Sequence, residues 1–407
     1  MTGDTQKRRA RAIVLAPLGR HSRYMLASYL RHIFTVVAAL MTIALTIDLW
    51  PQISLLTADP AQSAPGVVWS VVRLAGLRLC DLLPPLLPFA TFLGVLWSEI
   101  VFTTSAERML IWNSGRSPIQ CLTPALMAGV LLGGALFIMD GYLRPAAISV
   151  QIREKFGREG LRLDRTISGG THWVALQDGL LRAEIEYGPP LKLHNTTIYK
   201  FNADGLLREV DTASLASPLP RSGLWLLQGG HYWKAPLNDN PDLAVVNAKE
   251  EAEIPFAQRS VPLSLNVLWL SNLGMSPQYL TMTVLRTLAK ANIVSGEAAG
   301  FSTRLQALYS EAFLPGLMSF LAAALAMHYF PYRLRPVALI GVFLAGYLAH
   351  FTVTAFLLMG EFGYVPAPVA GWITPLLIVM GIGWTLHQIQ KRRGLDISLQ
   401  DTPSLES

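Results

Sequence analysis

Long apolar stretches alternate with polar segments along the chain. A helix needs about 20 mostly apolar residues to cross the hydrocarbon core of a bilayer. Six stretches meet this length and predict transmembrane helices over residues 33–50, 82–102, 122–142, 308–330, 337–359 and 369–387. Three prolines are expected to open the second helix, namely Pro84, Pro85 and Pro88. Gly129 and Gly133 form a pair of small residues that predicts a close helix contact.

The region between the third and fourth apolar stretches has a different pattern. From Arg165 to about Phe256 it is polar, with short alternating runs at 194–201, 223–233 and 243–254 separated by turn signals. Short strands at this spacing predict an all-β domain of the sandwich or jellyroll type. A helix is expected next, because Ser276 can cap its N-terminus and Pro277 can occupy its first position. Its apolar stripe consists of Leu280, Val284, Leu285 and Leu288.

These patterns divide the chain into five segments. They are an N-terminal extension (1–23), three membrane helices (24–143), the β-jellyroll (144–262), one short helix with three membrane helices (263–390), and a C-terminal tail (391–407). The polar, arginine-rich start and the long apolar stretch behind it predict an uncleaved signal anchor.

Lysine and arginine residues gather at one set of helix ends, which predicts that these ends face the cytoplasm. They are Lys7, Arg8, Arg9, Arg11, Arg20, Arg23, Arg31, Arg108, Arg116, Arg333, Arg335, Lys391, Arg392 and Arg393. Both termini are therefore expected to be cytoplasmic and the β domain periplasmic. Three arginines break this rule, since they lie near the outer ends of the second and third helices: Arg73, Arg78 and Arg144.

Composition supports a membrane protein. Hydrophobic residues make up 52% of the chain and charged residues 15%, with a formal net charge of +6. The positive charges lie beside apolar segments, so they do not indicate nucleic-acid binding. The two cysteines, Cys80 and Cys121, are expected near opposite membrane faces, where they cannot pair. The sequence has no Walker A, H-E-x-x-H, C-x-x-C or G-x-S-x-G motif, so no catalytic residue, metal site or cofactor is predicted in this chain.

The loop between the second and third helices carries the most specific signal. Thr104-x-x-Glu107 reads as a capping box and Gly115 suits the position after a helix, which predicts a short helix over about 104–115. Its apolar side chains need a partner surface: Met109, Leu110 and Trp112. The helix either lies on lipid as an interfacial helix or docks into a cytoplasmic motor, and the residues alone leave both alternatives open.

Nearly the whole chain resembles the LptF/LptG family of lipopolysaccharide-export permeases. The family's coupling helix has the pattern Ser-Glu-Leu with a glycine eight residues after the glutamate, and Glu107 and Gly115 keep that spacing. Ala106 and Arg108 depart from the pattern. Segments similar to the second, fourth and sixth family helices lie at 87–97, 309–318 and 369–375, and segments closer to the LptG branch lie at 198–210 and 223–227.

The resemblance implies a permease subunit that extracts lipopolysaccharide from the inner membrane. Its implied partners are a second LptF/LptG-type permease, an LptB-type ATPase dimer that binds the ATP, a single-span LptC-type protein and a periplasmic LptA-type bridge. The implied ATPase contacts are Glu107, Met109, Leu110, Trp112 and Gly115. Basic residues at the outer face would hold the lipid phosphates, and the candidates are Arg73, Arg78 and Arg144.

Alternative interpretations remain for several residues. Arg73, Arg78 and Arg144 can instead reach lipid headgroups or pair with Asp81 and Asp140. Three carboxylates lie near helix ends, where they are expected to reach water: Asp48, Glu99 and Asp140. One histidine, His350, is expected deep in the fifth helix. The competing functions are a non-transporting membrane scaffold with a periplasmic binding domain and an intramembrane enzyme.

Overall fold

The computed structural model describes residues 19–57, 64–113, 117–168, 170–187, 190–219, 223–235, 253–291 and 298–400. The chain forms two compact units. One consists of Met1–Arg144, Gln306–Gly360 and Tyr364–Ser407, and contains the long apolar helices. The other consists of Pro145–Leu305 with Glu361–Gly363, and contains the β-sheet.

Twelve α-helices are found in the described part of the chain. Their bounds are α1 Arg20–Thr57, α2 Ala64–Thr104, α3 Glu107–Asn113, α4 Pro118–Ile138, α5 Arg144–Arg153, α6 Gly157–Ser168, α7 Val267–Leu270, α8 Met282–Leu288, α9 Ala298–Glu311, α10 Leu314–Tyr329, α11 Pro336–Glu361 and α12 Ala367–Gln400. Among the described residues, 5 continuous helical stretches are long and apolar enough to cross a membrane, and α9 with α10 forms a sixth if that bent pair is one span. The predicted helical membrane bundle is therefore confirmed.

The first and sixth predicted spans lie inside the longer helices α1 and α12, and three other predicted spans differ from the observed helices in start or continuity. The second starts at Ala64 rather than near Leu82, and its three prolines lie inside α2, because membrane helices tolerate proline where neighbouring groups re-satisfy the backbone. The third changes after Ile138 into a π-helix over Met139–Leu143. The fourth is broken into α9 and α10 with a bend of 49°, and a proline in the first turn of α10 suits a new helix start.

Helix α10 occupies the centre of the bundle. Its alanine-rich stretch, Ala322–Ala326, is buried along its whole length. Helix α4 packs closely through the predicted glycine pair: a Cβ at Gly129 would overlap the Pro315 carbonyl of α10, and a Cβ at Gly133 would overlap the carbonyl of Ala312, in the break between α9 and α10. Small residues at such positions allow two helix backbones to approach closely, so this prediction is confirmed.

Six antiparallel strands form one sheet in the second unit. They are β1 Thr171–Ala175, β2 Gly179–Glu186, β3 Lys192–Phe201, β4 Leu207–Pro218, β5 Leu224–Lys234 and β6 Ile254–Pro262. Each strand pairs with its neighbour in sequence, so the predicted β domain is present and its described strands follow one another as a meander. The runs at 194–201 and 223–233 fall in β3 and β5, whereas residues 243–252 of the third run lie outside the described residues.

One face of the sheet is buried and mostly apolar, and it also includes Asp211 and Thr196. Alternate residues along β2 point to this face, and the largest buried side chain is Trp225 of β5, with 1% of its surface exposed. A bulge interrupts the pairing of β2 with β3 between Arg182 and Glu184, opposite Asn195, whose φ is 48°. Bulges of this kind bend a strand and increase its twist.

The helix predicted to begin at Ser276 starts later. Ser276 makes no side-chain capping bond, and Pro277–Tyr279 forms a single turn of 3-10 helix. Leu280 is extended, and α8 then begins after Thr281. Leu285 and Leu288 are both buried, which confirms this part of the predicted apolar stripe, whereas Leu280 lies before the helix and the predicted start is wrong.

Candidate functional site

The short helix α3 connects two long helices at one end of the bundle. Helix α2 ends at Thr104, whose hydroxyl donates to the carbonyls of Ile100 and Val101 at 3.0 and 3.1 Å. Ala106 has a φ of 59°, and α3 begins at Glu107. The predicted Thr104–Glu107 capping box is therefore wrong, because the Thr104 side chain bonds within its own helix instead of capping the next one.

A capping box that sequence reasoning missed lies at the start of α4. The backbone N–H of Gln120 donates to the Ser117 hydroxyl at 3.3 Å, and the backbone N–H of Ser117 donates to the side-chain oxygen of Gln120 at 3.2 Å. Pro118 follows at the first helical position. The Ser-Pro-x-Gln sequence carries both signals of a helix N-terminus and could have located it.

The residues predicted to contact an ATPase lie on or beside α3. Glu107 is partly exposed and accepts a hydrogen bond from the Tyr24 hydroxyl of α1 at 3.3 Å. Met109 and Leu110 are 44% and 72% exposed. Trp112 belongs to α3, and Gly115 lies outside the described residues. Helix α3 thus presents two adjacent apolar side chains on its outer surface.

Arg108 points the opposite way, into the bundle. Its side chain is 2% exposed and forms an ion pair with Glu99 of α2, which is 1% exposed. The Tyr29 hydroxyl of α1 donates to Glu99 Oε1 at 2.5 Å, and the Arg108 guanidinium lies 5.9 Å from the centre of the Phe102 ring. The expectation that Glu99 reaches water is therefore wrong, since its charge is buried and matched by Arg108.

A second charge network, largely buried but with Asp48 22% exposed, links α1, α2 and the segment that follows α4. Arg78 of α2 donates twice to Asp48 of α1, at 2.7 and 2.8 Å, and once to Asp81 at 2.9 Å. Arg144 donates to Asp81 at 2.7 Å and to Asp140 at 3.1 Å. Asp140 lies in the π-helix that follows α4. The five side chains form one alternating chain of acidic and basic groups.

This network bears on the predicted phosphate ligands. Arg78 and Arg144 are buried, and both make the carboxylate pairs of the alternative interpretation, whereas Arg73 is exposed on the same helix as Arg78. Asp140 is 3% exposed, so the expectation that it simply reaches water is wrong. A phosphate-binding role of the three arginines stays a prediction.

Comparison with known families identifies the family of this chain. The family described as lipopolysaccharide export system permease LptF/LptG matches residues 23–388. The chain belongs to the LptF/LptG family. It is thus a multi-pass inner-membrane permease of lipopolysaccharide export rather than an enzyme. No curated protein gives a significant match to the chain, and assignment to the LptG branch stays a prediction.

His350, the histidine expected deep in the fifth helix, lies apart from both networks of this LptF/LptG permease. The His350 ring of α11 stacks on the Phe89 ring of α2, with 5.4 Å between the ring centroids. The His32 ring nitrogen lies 2.9 Å from the Ser98 hydroxyl, so this side chain links α1 to α2 within the bundle. Among the described residues, no group of three or more His, Cys, Asp or Glu side chains could hold a metal ion.

The sheet of the permease contains its own charge cluster. Asp211 is fully buried, and its carboxylate lies 2.9 Å from Arg259 and 3.5 Å from Lys200. Burial raises the pKa of Asp211 in spite of these two cations. Burial acts in the same direction on Glu209, but Lys200 and Arg259, at 3.2 and 2.5 Å, outweigh it and lower the pKa of Glu209. The cluster joins β3, β4 and β6.

Proposed function

We propose that this permease is one subunit of an ATP-driven lipopolysaccharide exporter and that α3 is its ATPase-docking helix. The observation that carries the proposal is the two-sided character of α3, with Arg108 buried against the bundle and Met109 and Leu110 exposed on the outer surface. An apolar pair held on a rigid, anchored helix is suited to insertion into a pocket of a partner protein.

The energetics of the substrate support a motor. Removing an acyl chain from a bilayer costs about 0.8 kcal/mol for each CH₂ group, and a lipopolysaccharide carries several such chains. The sequence contains no Gly-Lys dipeptide and hence no Walker A motif. We therefore assign ATP binding and hydrolysis to a separate LptB-type dimer.

The remaining assembly follows the family resemblance. We propose cytoplasmic termini, a periplasmic β domain, a second LptF/LptG-type permease, an LptC-type single-span protein and an LptA-type periplasmic bridge. Exposed apolar side chains on α1 and α11 support a lipid-facing or partner-facing role for these two helices. They include Phe34, Ile47 and Trp50 on α1, and Phe343, Leu348 and Phe351 on α11. Arg73, Arg78 and Arg144 remain the proposed phosphate ligands.

Affinity purification of the tagged full chain in mild detergent tests the proposal. We expect an ATPase and a second six-span protein to co-purify with it. Leu110→Asp should abolish recovery of the ATPase, because it places a charge on the docking surface. The matched control is Leu206→Asp, at a residue of the β unit that is 60% exposed, and it should leave recovery unchanged. Purification of the wild-type chain without any ATPase would refute the proposal and favour a non-transporting scaffold.

A further inference from the structure

Three buried polar side chains meet beneath α3, each from a different element. Arg108 comes from α3, Glu99 from α2 and Tyr29 from α1, and their exposed fractions are 2%, 1% and 0%. Tyr29 and Arg108 both contact the Glu99 carboxylate, so this carboxylate bridges α1 and α3. We refer to these three side chains as the anchor triad.

The anchor triad is an unusual way to fasten a short helix. Helix α3 has seven residues, too few to be stable without tertiary contacts. Apolar packing would be the ordinary way to fix it, and buried charges are tolerated only when they are paired and hydrogen-bonded. Unlike apolar packing, a charge pair is directional, because the guanidinium bonds the carboxylate only in a limited set of orientations.

The surroundings restrict α3 further. Phe102 lies beside both cation and phenol, with its ring centre 5.9 Å from the Arg108 guanidinium and 5.8 Å from the Tyr29 ring. A second link to α1 runs along the edge of α3, where the Tyr24 hydroxyl donates to Glu107. Helix α3 is thus linked to α1 in two ways. Glu107 bonds Tyr24 directly, and Arg108 reaches Tyr29 through Glu99 of α2.

We infer that Arg108 is a positioning residue that holds α3 in one orientation on α1 and α2 and transmits movement of α3 to those helices. This inference rests on the proposed function of α3 as a docking helix. With Arg108 fixed inside the bundle, Met109 and Leu110 must face outward, where a motor can engage them. Force applied to α3 then reaches α1 through Glu99 and Tyr29.

A role in positioning can be separated from a role in stability. Replacing a buried ion pair with apolar residues of similar size is often neutral or stabilising, whereas removing one partner is strongly destabilising. Arg108→Leu should therefore destabilise the chain, and Arg108→Leu combined with Glu99→Leu should restore most of its melting temperature, because the charges are then removed together and only the buried Tyr29 hydroxyl loses its acceptor. If the pair acts by orientation, the double variant regains stability without regaining coupling.

Two measurements on the full chain test this inference. Hydrogen–deuterium exchange of the backbone amides of α3, in the purified chain, should be faster than wild type in both the single and the double variant. In proteoliposomes containing lipopolysaccharide, the ATPase and the second permease, the lipopolysaccharide released per ATP hydrolysed should fall at least about fivefold, the lower end of typical coupling between sites. The control Arg162→Leu changes an exposed arginine paired with Glu159 and should alter neither quantity.

The outcomes distinguish the two proposals. A double variant with wild-type exchange in α3 and wild-type release per ATP would overturn the positioning role and leave the pair as a source of stability only. If no ATPase binds the wild-type chain, the proposed function fails, and exchange in α3 then decides by itself whether Arg108 orients this helix. Wild-type exchange in the single variant Arg108→Leu would also overturn the inference.

Discussion

Asp81 is the central group of the network that joins Asp48, Arg78, Arg144 and Asp140, and Asp81→Asn tests what that network does. The two Asp81 oxygens accept from Arg78 at 2.9 Å and from Arg144 at 2.7 Å. The side chains of all three residues are at most 10% exposed. Asparagine keeps the size and shape of the side chain but removes its negative charge, so the substitution tests the charge rather than the packing.

The size of the effect follows from the geometry. Removing one partner of a buried ion pair costs about 3–5 kcal/mol. Each arginine keeps one other carboxylate, Asp48 for Arg78 and Asp140 for Arg144, so we expect a loss near the lower end, about 3 kcal/mol. The assay is thermal or denaturant unfolding of the purified chain in detergent, followed by tryptophan fluorescence.

Comparison with the arginines separates pairing from phosphate binding. If Arg78 acts mainly in the network, Arg78→Gln should destabilise the chain as Asp81→Asn does, while the exposed control Arg73→Gln changes stability by less than about 1 kcal/mol. If Arg78 acts mainly on phosphates, Arg78→Gln should reduce crosslinking to lipopolysaccharide at unchanged stability. An unfolding midpoint of Asp81→Asn equal to that of wild type would refute the structural reasoning.

Three further substitutions follow from the structure. Gly129→Leu should lower stability by about 1–3 kcal/mol in the same unfolding assay, since a side chain there overlaps α10, whereas Gly134→Leu meets open space and should not. Glu107→Gln should retain the Tyr24 contact but lose export measured in proteoliposomes, and intact export would exclude an ion pair with the ATPase. Because the pKa of Glu209 is lowered in the fold, its contribution to stability should disappear as pH falls, and Glu209→Gln should weaken this dependence in unfolding curves recorded against pH.

The apolar pattern predicted the helices better than it predicted their ends. Uninterrupted apolar runs located every long helix, but α2 starts 18 residues before Leu82, because a helix can extend beyond the apolar run through residues that pack or reach the interface. The break before α10 was also missed, since proline is compatible with both the interior and the start of a membrane helix. Local sequence does not decide between these two placements.

The ion pairs of Glu99 and Asp48 were the main feature that sequence could not predict, whereas pairing of Arg78 and Arg144 with Asp81 and Asp140 was one of its open alternatives. Glu99 and Arg108 are nine positions apart, but they meet only because the chain turns at Ala106, a non-glycine residue with positive φ. Asp48 and Arg78 belong to different helices, and their contact depends on how α1 packs on α2. Pairing of this kind follows from tertiary packing, so helix ends alone suggested exposure to water where the structure has buried charge pairs.

The two charge networks hold α1 and α2 together at both ends of their membrane-spanning parts. Along α1, 19 residues separate Tyr29 from Asp48, which at 1.5 Å per residue is about 28 Å. Along α2, 21 residues separate Arg78 from Glu99, or about 31 Å. Both lengths match the roughly 30 Å hydrocarbon core of a bilayer. A sliding movement of α1 along α2 would break both networks at once. Movement transmitted from α3 should therefore tilt α1 and α2 as a pair and leave their relative register unchanged.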